Sequence, residues 1–111
     1  MSYRRGDIVL VLFPNSDLRT AKRRPALVVQ SDNLKTGIDQ TIVAMVTSNL
    51  GRAKHSSRVV ISLQTLEGKQ SGLLMDSVVM TDNLATIRSA EIDRTIGMLR
   101  MEAALRHTLG M

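Results

Sequence analysis

The stretch DIVLVLF, residues 7–13, decides the fold class. It is a short apolar run rich in Val, Ile and Leu that ends at Pro14 and Asn15, which is typical of a strand. Three further runs of this kind, each bounded by turn residues, are PALVVQ (25–30), TIVAMVTSN (41–49) and RVVISL (58–63). The longer stretch SGLLMDSVVMTDNLATI (71–87) predicts at least two more short strands. Together these patterns predict a mainly β protein built on a small antiparallel sheet or barrel.

The end of the chain has a different pattern. RMEAALRHTLG (100–110) is rich in helix formers and stops at a glycine, so it predicts a terminal helix packed on the barrel. SAEIDRTIGML (89–99) stays open between two interpretations. Ile92 and Ile96 allow a helix, whereas Thr95 and Gly97 favour a strand or a turn.

Length and composition narrow the class of protein. The 111 residues predict a single domain over residues 1–111, with a modest core. The chain has no cysteine, which excludes disulfides and thiolate zinc sites. No apolar run reaches the roughly 18 residues that a membrane span needs, and no signal-peptide pattern is found. We therefore expect a cytoplasmic protein without membrane contact.

The charge is high and unevenly distributed. The net charge is +5 and the sequence pI is about 10.5. Residues 1–58 hold 10 of the 15 Lys and Arg and 4 of the 10 Asp and Glu, a net charge of +6, whereas residues 59–111 have a net charge of −1. A basic half of this kind favours an anionic partner, with nucleic acid as the leading class and an anionic protein as the second.

Several kinds of chemistry are absent from the sequence. The acidic residues are scattered, without a D-x-D motif or a His pair at ligand spacing, so we expect neither a metal site nor another cofactor. No G-x-S-x-G, Walker A or G-x-G-x-x-G motif occurs. The only aromatic residues are Tyr3 and Phe13, so an aromatic platform for stacking bases is missing. Arginine planes and phosphate contacts would then have to hold a nucleic acid.

Four segments together carry a resemblance to a known family. They are GDIVLVLFP (6–14), KRRPALVVQ (22–30), IVAMVTSN (42–49) and DSVVMTDNLATI (76–87). In order and spacing they resemble the MazF/PemK family, the toxin endoribonucleases of bacterial type II toxin–antitoxin systems. The resemblance implies an SH3-like antiparallel barrel or bent sheet with a C-terminal helix, working as a homodimer. It also implies metal-independent, sequence-selective cleavage of single-stranded RNA (an mRNA interferase) and a cognate antitoxin with an acidic tail.

The same resemblance assigns three catalytic residues. Arg24, just before the second strand, falls on the catalytic arginine of the family, and Thr47 falls on the threonine that lines its active site. Asp82 falls where several members have an acidic residue followed by Gln, which Asn83 replaces here.

Two positions depart from the family pattern. Met80 stands where some members have an arginine two residues before the acid. In the loop after the first strand, where others use His or Glu, this chain has Asp17 and Arg19.

Cleavage without a metal needs the neighbouring 2′-hydroxyl of RNA as the nucleophile, so DNA is not a substrate. The guanidinium of Arg24 suits two phosphate oxygens, and the hydroxyl of Thr47 can donate to the same phosphate. Asp82 can serve as the base only if burial or a like charge raises its pKa. His55 carries an imidazole, the side chain most often used for acid or base catalysis.

The remaining polar residues of these segments are expected to bind RNA. Arg19, Lys22 and Arg23 are expected in a flexible loop that attracts RNA or an acidic tail, while Pro25 and the strand behind it fix Arg24. The full set of predicted RNA-binding residues is Arg19, Lys22, Arg23, Asn49, Arg52, Lys54, His55 and Asn83.

Two other functions stay open at the level of sequence. The first is a non-enzymatic toxin of the same fold that poisons gyrase, although such relatives end in a tryptophan-containing tail and this chain has no Trp. The second is an RNA- or protein-binding module that has lost activity.

Overall fold

The computed structural model describes residues 3–14, 21–30, 39–55 and 57–99. Its strands are β1 (Asp7–Pro14), β2 (Ala21–Val28), β3 (Gln40–Thr47), β4 (Arg58–Ile61), β5 (Ser77–Arg88) and β6 (Ile92–Met98). They form one antiparallel sheet in the order β4-β5-β3-β2-β1-β6. The predicted mainly β class is confirmed. The predicted terminal helix over 100–110 lies outside the described residues, as do Asp17 and Arg19.

The second strand begins earlier than the sequence predicted. It starts at Ala21, and its first residues pair with β1, with Lys22 opposite Phe13 and Arg24 opposite Val11. The prediction of a loop around Lys22 and Arg23 is therefore wrong, and Arg24 lies inside the strand rather than before it. These cations fit a strand because their side chains are exposed, so pairing of the backbone does not remove their charges from water.

Residues 77–88 form one long strand, which corrects the prediction of at least two short strands in this stretch. In the ladder with β3, Met45 pairs with Met80 and Ala44 pairs with Leu84. The three residues between them, 81–83, form a bulge that has no partner in β3. Because a bulge re-aims side chains without ending the strand, Asp82 is exposed while the strand continues on both sides.

The stretch 89–99, for which the sequence allowed either a helix or a strand, is a short turn followed by a strand. A 3₁₀ turn covers Ser89–Glu91, and β6 then pairs with β1, where Arg94 lies opposite Leu10. One short helix, α1 (Leu66–Gln70), was not predicted, and the hydroxyl of Thr65 caps it. No helix among the described residues is long and apolar enough to span a membrane.

The core consists of two apolar clusters on the two faces of the sheet. The first includes Ile8 and Leu27, and the second includes Val11 and Val43. The first cluster also contains Ile61 of the edge strand β4 and Leu99, which follows the opposite edge strand β6. The sheet therefore bends so that its two edges share one core, as expected for a barrel-like sheet.

The loop between α1 and β5 packs directly on β6, backbone against backbone. A Cβ atom on Gly97 would overlap the carbonyl group of Ser71, and one on Gly72 would overlap the carbonyl group of Ile96. Gly72 also has a φ of +74°, which side-chain-bearing residues rarely adopt. The buried Ser71 hydroxyl donates to the carbonyl of Gly68 at 2.6 Å. These contacts fix the first residues of the loop.

Candidate active site

The strand register places the two leading catalytic candidates side by side. In the ladder between β2 and β3, Ala26 pairs with Met45. Continuing this antiparallel register by two residues places Arg24 opposite Thr47, on the same face of the sheet. The two residues are 23 positions apart in the sequence, and the pairing of β2 with β3 brings them together.

Arg24 and Thr47 line one cavity of about 400 Å³ at this end of the sheet. The apolar part of its wall includes Leu10, Pro25 and Leu73. The polar part of the wall consists of Arg23, Arg24, Thr47, Ser48, Ser77 and Arg94. Three arginines and three hydroxyl-bearing residues beside apolar residues make a lining that suits a phosphodiester with an attached nucleoside.

The three arginines of the cavity differ in their ion pairs. The Nε atom of Arg23 lies 3.2 Å from a carboxylate oxygen of Asp93, and the Nη1 atom of Arg94 lies 3.9 Å from the same oxygen. No acidic side chain among the described residues forms an ion pair with Arg24. Arg24 is therefore the arginine of this cavity whose charge is least neutralised by the described part of the chain.

Asp82 belongs to a second group of residues, outside the cavity wall. Both of its carboxylate oxygens accept hydrogen bonds from Arg58, at 2.8 Å from Nε and 2.9 Å from Nη2. These hydrogen bonds are the largest cause that lowers the pKa of Asp82 below its ordinary value. Burial opposes them, and the charges of Arg58 and His55 add weaker effects that lower the pKa further. The condition for Asp82 as a base, a raised pKa, is therefore not met.

The other predicted RNA-binding residues lie in three places. Lys22 and Arg23 are exposed on β2, and Asn83 is exposed on the bulge. Asn49, Arg52, Lys54 and His55 are exposed on the loop between β3 and β4. The Nδ1 atom of His55 accepts a hydrogen bond of 3.0 Å from the backbone N–H of Ser57, which places the proton of the neutral ring on Nε2. Arg19 lies outside the described residues.

The sequence analysis missed Arg94, and it did not predict that Arg58 pairs with Asp82. Arg94 lies in the stretch that stayed open between helix and strand, so its position beside Leu10 had no signal in the sequence. Arg58 is separated from Asp82 by 24 residues, and only the pairing of β4 with β5 brings the two together.

Comparison with known proteins identifies relatives along almost the whole chain. The family model described as PemK-like, MazF-like toxin of type II toxin–antitoxin system matches residues 4–105. Endoribonuclease MazF6 of Mycobacterium tuberculosis is 32% identical over 97 residues, which cover 86% of this chain and 79% of the relative.

Solved structures show the same architecture. The Mycobacterium tuberculosis toxin MazF-mt6 aligns with a TM-score of 0.69 and 25% identity, over 94% of this chain and 92% of that chain. The MazF in a MazE–MazF structure from Deinococcus radiodurans aligns with a TM-score of 0.70 and 21% identity, over 99% and 94% of the two chains. The second likeness supports the fold alone.

Proposed function

Because the chain belongs to the family of PemK-like, MazF-like toxins of type II toxin–antitoxin systems, we propose that it is an endoribonuclease that cleaves single-stranded RNA at preferred sequences. A curated relative at 32% identity is named as an endoribonuclease. The observation that carries the proposal is the meeting of Arg24 and Thr47 at the wall of one cavity.

The proposed reaction uses no metal ion. The 2′-oxygen of the substrate attacks the adjacent phosphorus and loses its proton, and the bond from phosphorus to the 5′-oxygen breaks. The leaving 5′-oxygen takes up a proton. The products are a 2′,3′-cyclic phosphate, which can open to a 3′-phosphate, and a 5′-hydroxyl. Charge grows on the two non-bridging phosphate oxygens during this step, so donors directed at them accelerate it.

Arg24 and Thr47 supply such donors in this proposal. The guanidinium of Arg24 can hold both non-bridging oxygens, and it does not serve as a proton donor because arginine does not deprotonate in proteins. The hydroxyl of Thr47 accepts a hydrogen bond of 3.1 Å from the backbone N–H of Asn49. This bond uses a lone pair of the hydroxyl and not its proton, so the proton can be donated to the phosphate.

The proposed partners follow from the same family membership. The chain is neutralised by a cognate antitoxin whose acidic segment binds the basic surface, and it works as a cytoplasmic homodimer. The net charge of +6 in residues 1–58 supports an acidic partner. Leu74 and Met75, exposed beside the cavity, are apolar side chains that an assembly can cover.

Incubation of the purified protein with mixed-sequence single-stranded RNA in excess chelator tests the function. We expect cuts at a limited set of sequences. We also expect that adding Mg²⁺ does not raise the cleavage rate severalfold above the rate in chelator. A gyrase supercoiling assay is run in parallel. Intact RNA together with blocked gyrase would replace the proposal by a gyrase poison, and RNA binding without cutting would replace it by a binding module.

A further inference from the structure

The loop that follows β3 is attached directly to the hydroxyl of Thr47. The backbone N–H of Asn49 donates to this hydroxyl at 3.1 Å, and the side-chain oxygen of Asn49 accepts from the N–H of Gly51 at 3.1 Å. Asn49 in this way caps a 3₁₀ turn, Leu50–Arg52. The position of the turn therefore determines where the Asn49 N–H holds the Thr47 hydroxyl.

Arg58 holds the other end of this turn. Its Nη1 atom donates to the backbone carbonyl of Arg52 at 3.0 Å, while Nε and Nη2 donate to the two carboxylate oxygens of Asp82. All three guanidinium nitrogens are thus used. Two parallel bonds to one carboxylate fix the plane of the guanidinium, so its third nitrogen has a defined direction. We call this pair the Arg58–Asp82 bridge.

The bulge of β5 gives the bridge a rigid support. Thr81, fully buried, donates to the carbonyl of Ser57 from its hydroxyl at 2.7 Å and from its backbone N–H at 3.0 Å. These bonds fix the bulge to the residue that precedes Arg58. Asp82, the next residue of the bulge, is directed outward to Arg58.

We propose that Arg58 and Asp82 are positioning residues, whose bridge holds the turn Leu50–Arg52 and thereby orients the Thr47 hydroxyl in the cavity. The proposal rests on the proposed function, since the oriented hydroxyl is the one that donates to the scissile phosphate. It gives Asp82 a role that does not require proton transfer, and it gives Arg58 a role that the family resemblance did not assign.

The alternative for Asp82, proton acceptance from the 2′-hydroxyl, makes an opposite prediction for Arg58. Arg58 lowers the pKa of Asp82, so its removal returns the carboxylate toward its ordinary basicity. If Asp82 were the base, loss of Arg58 would leave the rate unchanged or raise it. If the two residues position Thr47 together, loss of either one lowers the rate.

Asp82→Asn and Arg58→Gln are compared with their double variant in the full chain. We expect each single variant to cleave roughly 10- to 100-fold more slowly, because a small displacement of a catalytic group has an effect of this size. The double variant is expected to be no slower than the slower single variant, since both changes break one interaction. The pH–rate profile keeps its shape in all three.

Arg88→Gln is the matched control. Arg88 lies on β5 and, like Arg58, bonds through Nε and Nη2 to a carboxylate, here that of Glu91, at 3.1 and 3.0 Å rather than to one next to the turn. We expect this variant to cleave like the wild type. A loss equal to that of Arg58→Gln would assign the effect to net charge and overturn the proposal.

Amide hydrogen exchange decides the inference independently of cleavage. The backbone N–H groups of Arg52 and Ala53 donate to the carbonyls of Asn49 and Leu50, at 3.1 and 3.2 Å. We expect both N–H groups to exchange faster in the two bridge variants and at the wild-type rate in Arg88→Gln. If the wild type did not cleave RNA, the proposed function would fail while this measurement still tested the positioning. Unchanged exchange in both bridge variants would overturn it, as would an Asp82→Asn variant that alone loses the acidic limb of the pH–rate profile, where the rate rises as a base loses its proton.

Discussion

Arg24→Ala lowers the rate of RNA cleavage on the order of 10²–10³-fold, which is the usual effect of removing one donor to a developing phosphate or carbonyl charge. The reason is that Arg24 lies opposite Thr47 and lines the same cavity. Arg24→Lys keeps the charge but loses the paired donors, so we expect it to recover only a small part of the rate. Single-turnover rates, with the circular dichroism spectrum as a check on folding, measure both.

Arg23→Ala is the matched control for Arg24→Ala. It removes the same charge from the neighbouring residue of β2 and from the wall of the same cavity. Arg23 is already paired with Asp93 at 3.2 Å, and its side chain is 61% exposed. We therefore expect a loss of a few fold that shrinks as the salt concentration rises, because Arg23 contributes mainly general attraction, which salt screens. Equal losses in the two variants would contradict the distinction between the two arginines.

Gly97→Ala has the largest expected effect on stability. The new methyl group overlaps the backbone of Ser71 and Gln70, and backbone atoms cannot move aside as a flexible side chain can. We expect the free energy of unfolding to fall by about 3 kcal/mol, at the upper end of overpacking effects, and the Tm to fall by roughly 10–20 °C. Thermal melts at one protein concentration measure the change.

Thr95→Ala provides the comparison on the same strand. Thr95 is exposed on β6, so its truncation is expected to change the free energy of unfolding by no more than about 0.5 kcal/mol. If Gly97→Ala and Thr95→Ala had the same Tm, the close backbone contact between β6 and the loop between α1 and β5 would be absent. Reduced RNA cleavage at temperatures where Gly97→Ala is still folded would show that this wall also shapes the cavity.

The strands were predictable because their signal is local. The apolar runs DIVLVLF (7–13) and TIVAMVTSN (41–49) are bounded by turn residues, and both became strands close to the expected limits. The start of β2 was not predictable in this way. Its cations resemble a solvated loop, and only the pairing with β1 extends the strand back through them to Ala21.

The same distinction between local signals and strand pairing applies to the residues of the candidate site. Arg24 and Thr47 were identified from short motifs, and their meeting follows from the antiparallel register of β2 and β3. The role of Asp82 depended on its partner, and the pairing of β4 with β5 that supplies Arg58 has no signature in either segment. An Asp-Asn pair such as Asp82 and Asn83 favours turns in general. A bulge inside a long strand also suits such a pair, and only the pairing with β3 on both sides of residues 81–83 distinguishes the bulge from a turn.

Attack by the 2′-hydroxyl is tested by cleavage of an RNA oligonucleotide that carries one 2′-deoxynucleotide immediately before the mapped scissile phosphate, in excess chelator. We expect the all-RNA oligonucleotide to give a 5′-hydroxyl and a cyclic or 3′-phosphate end at this position, and the substituted oligonucleotide to stay intact there. A cut at the deoxynucleotide, or a 5′-phosphate end on the all-RNA product, would contradict the attack by the 2′-hydroxyl on a phosphate held by Arg24 and Thr47.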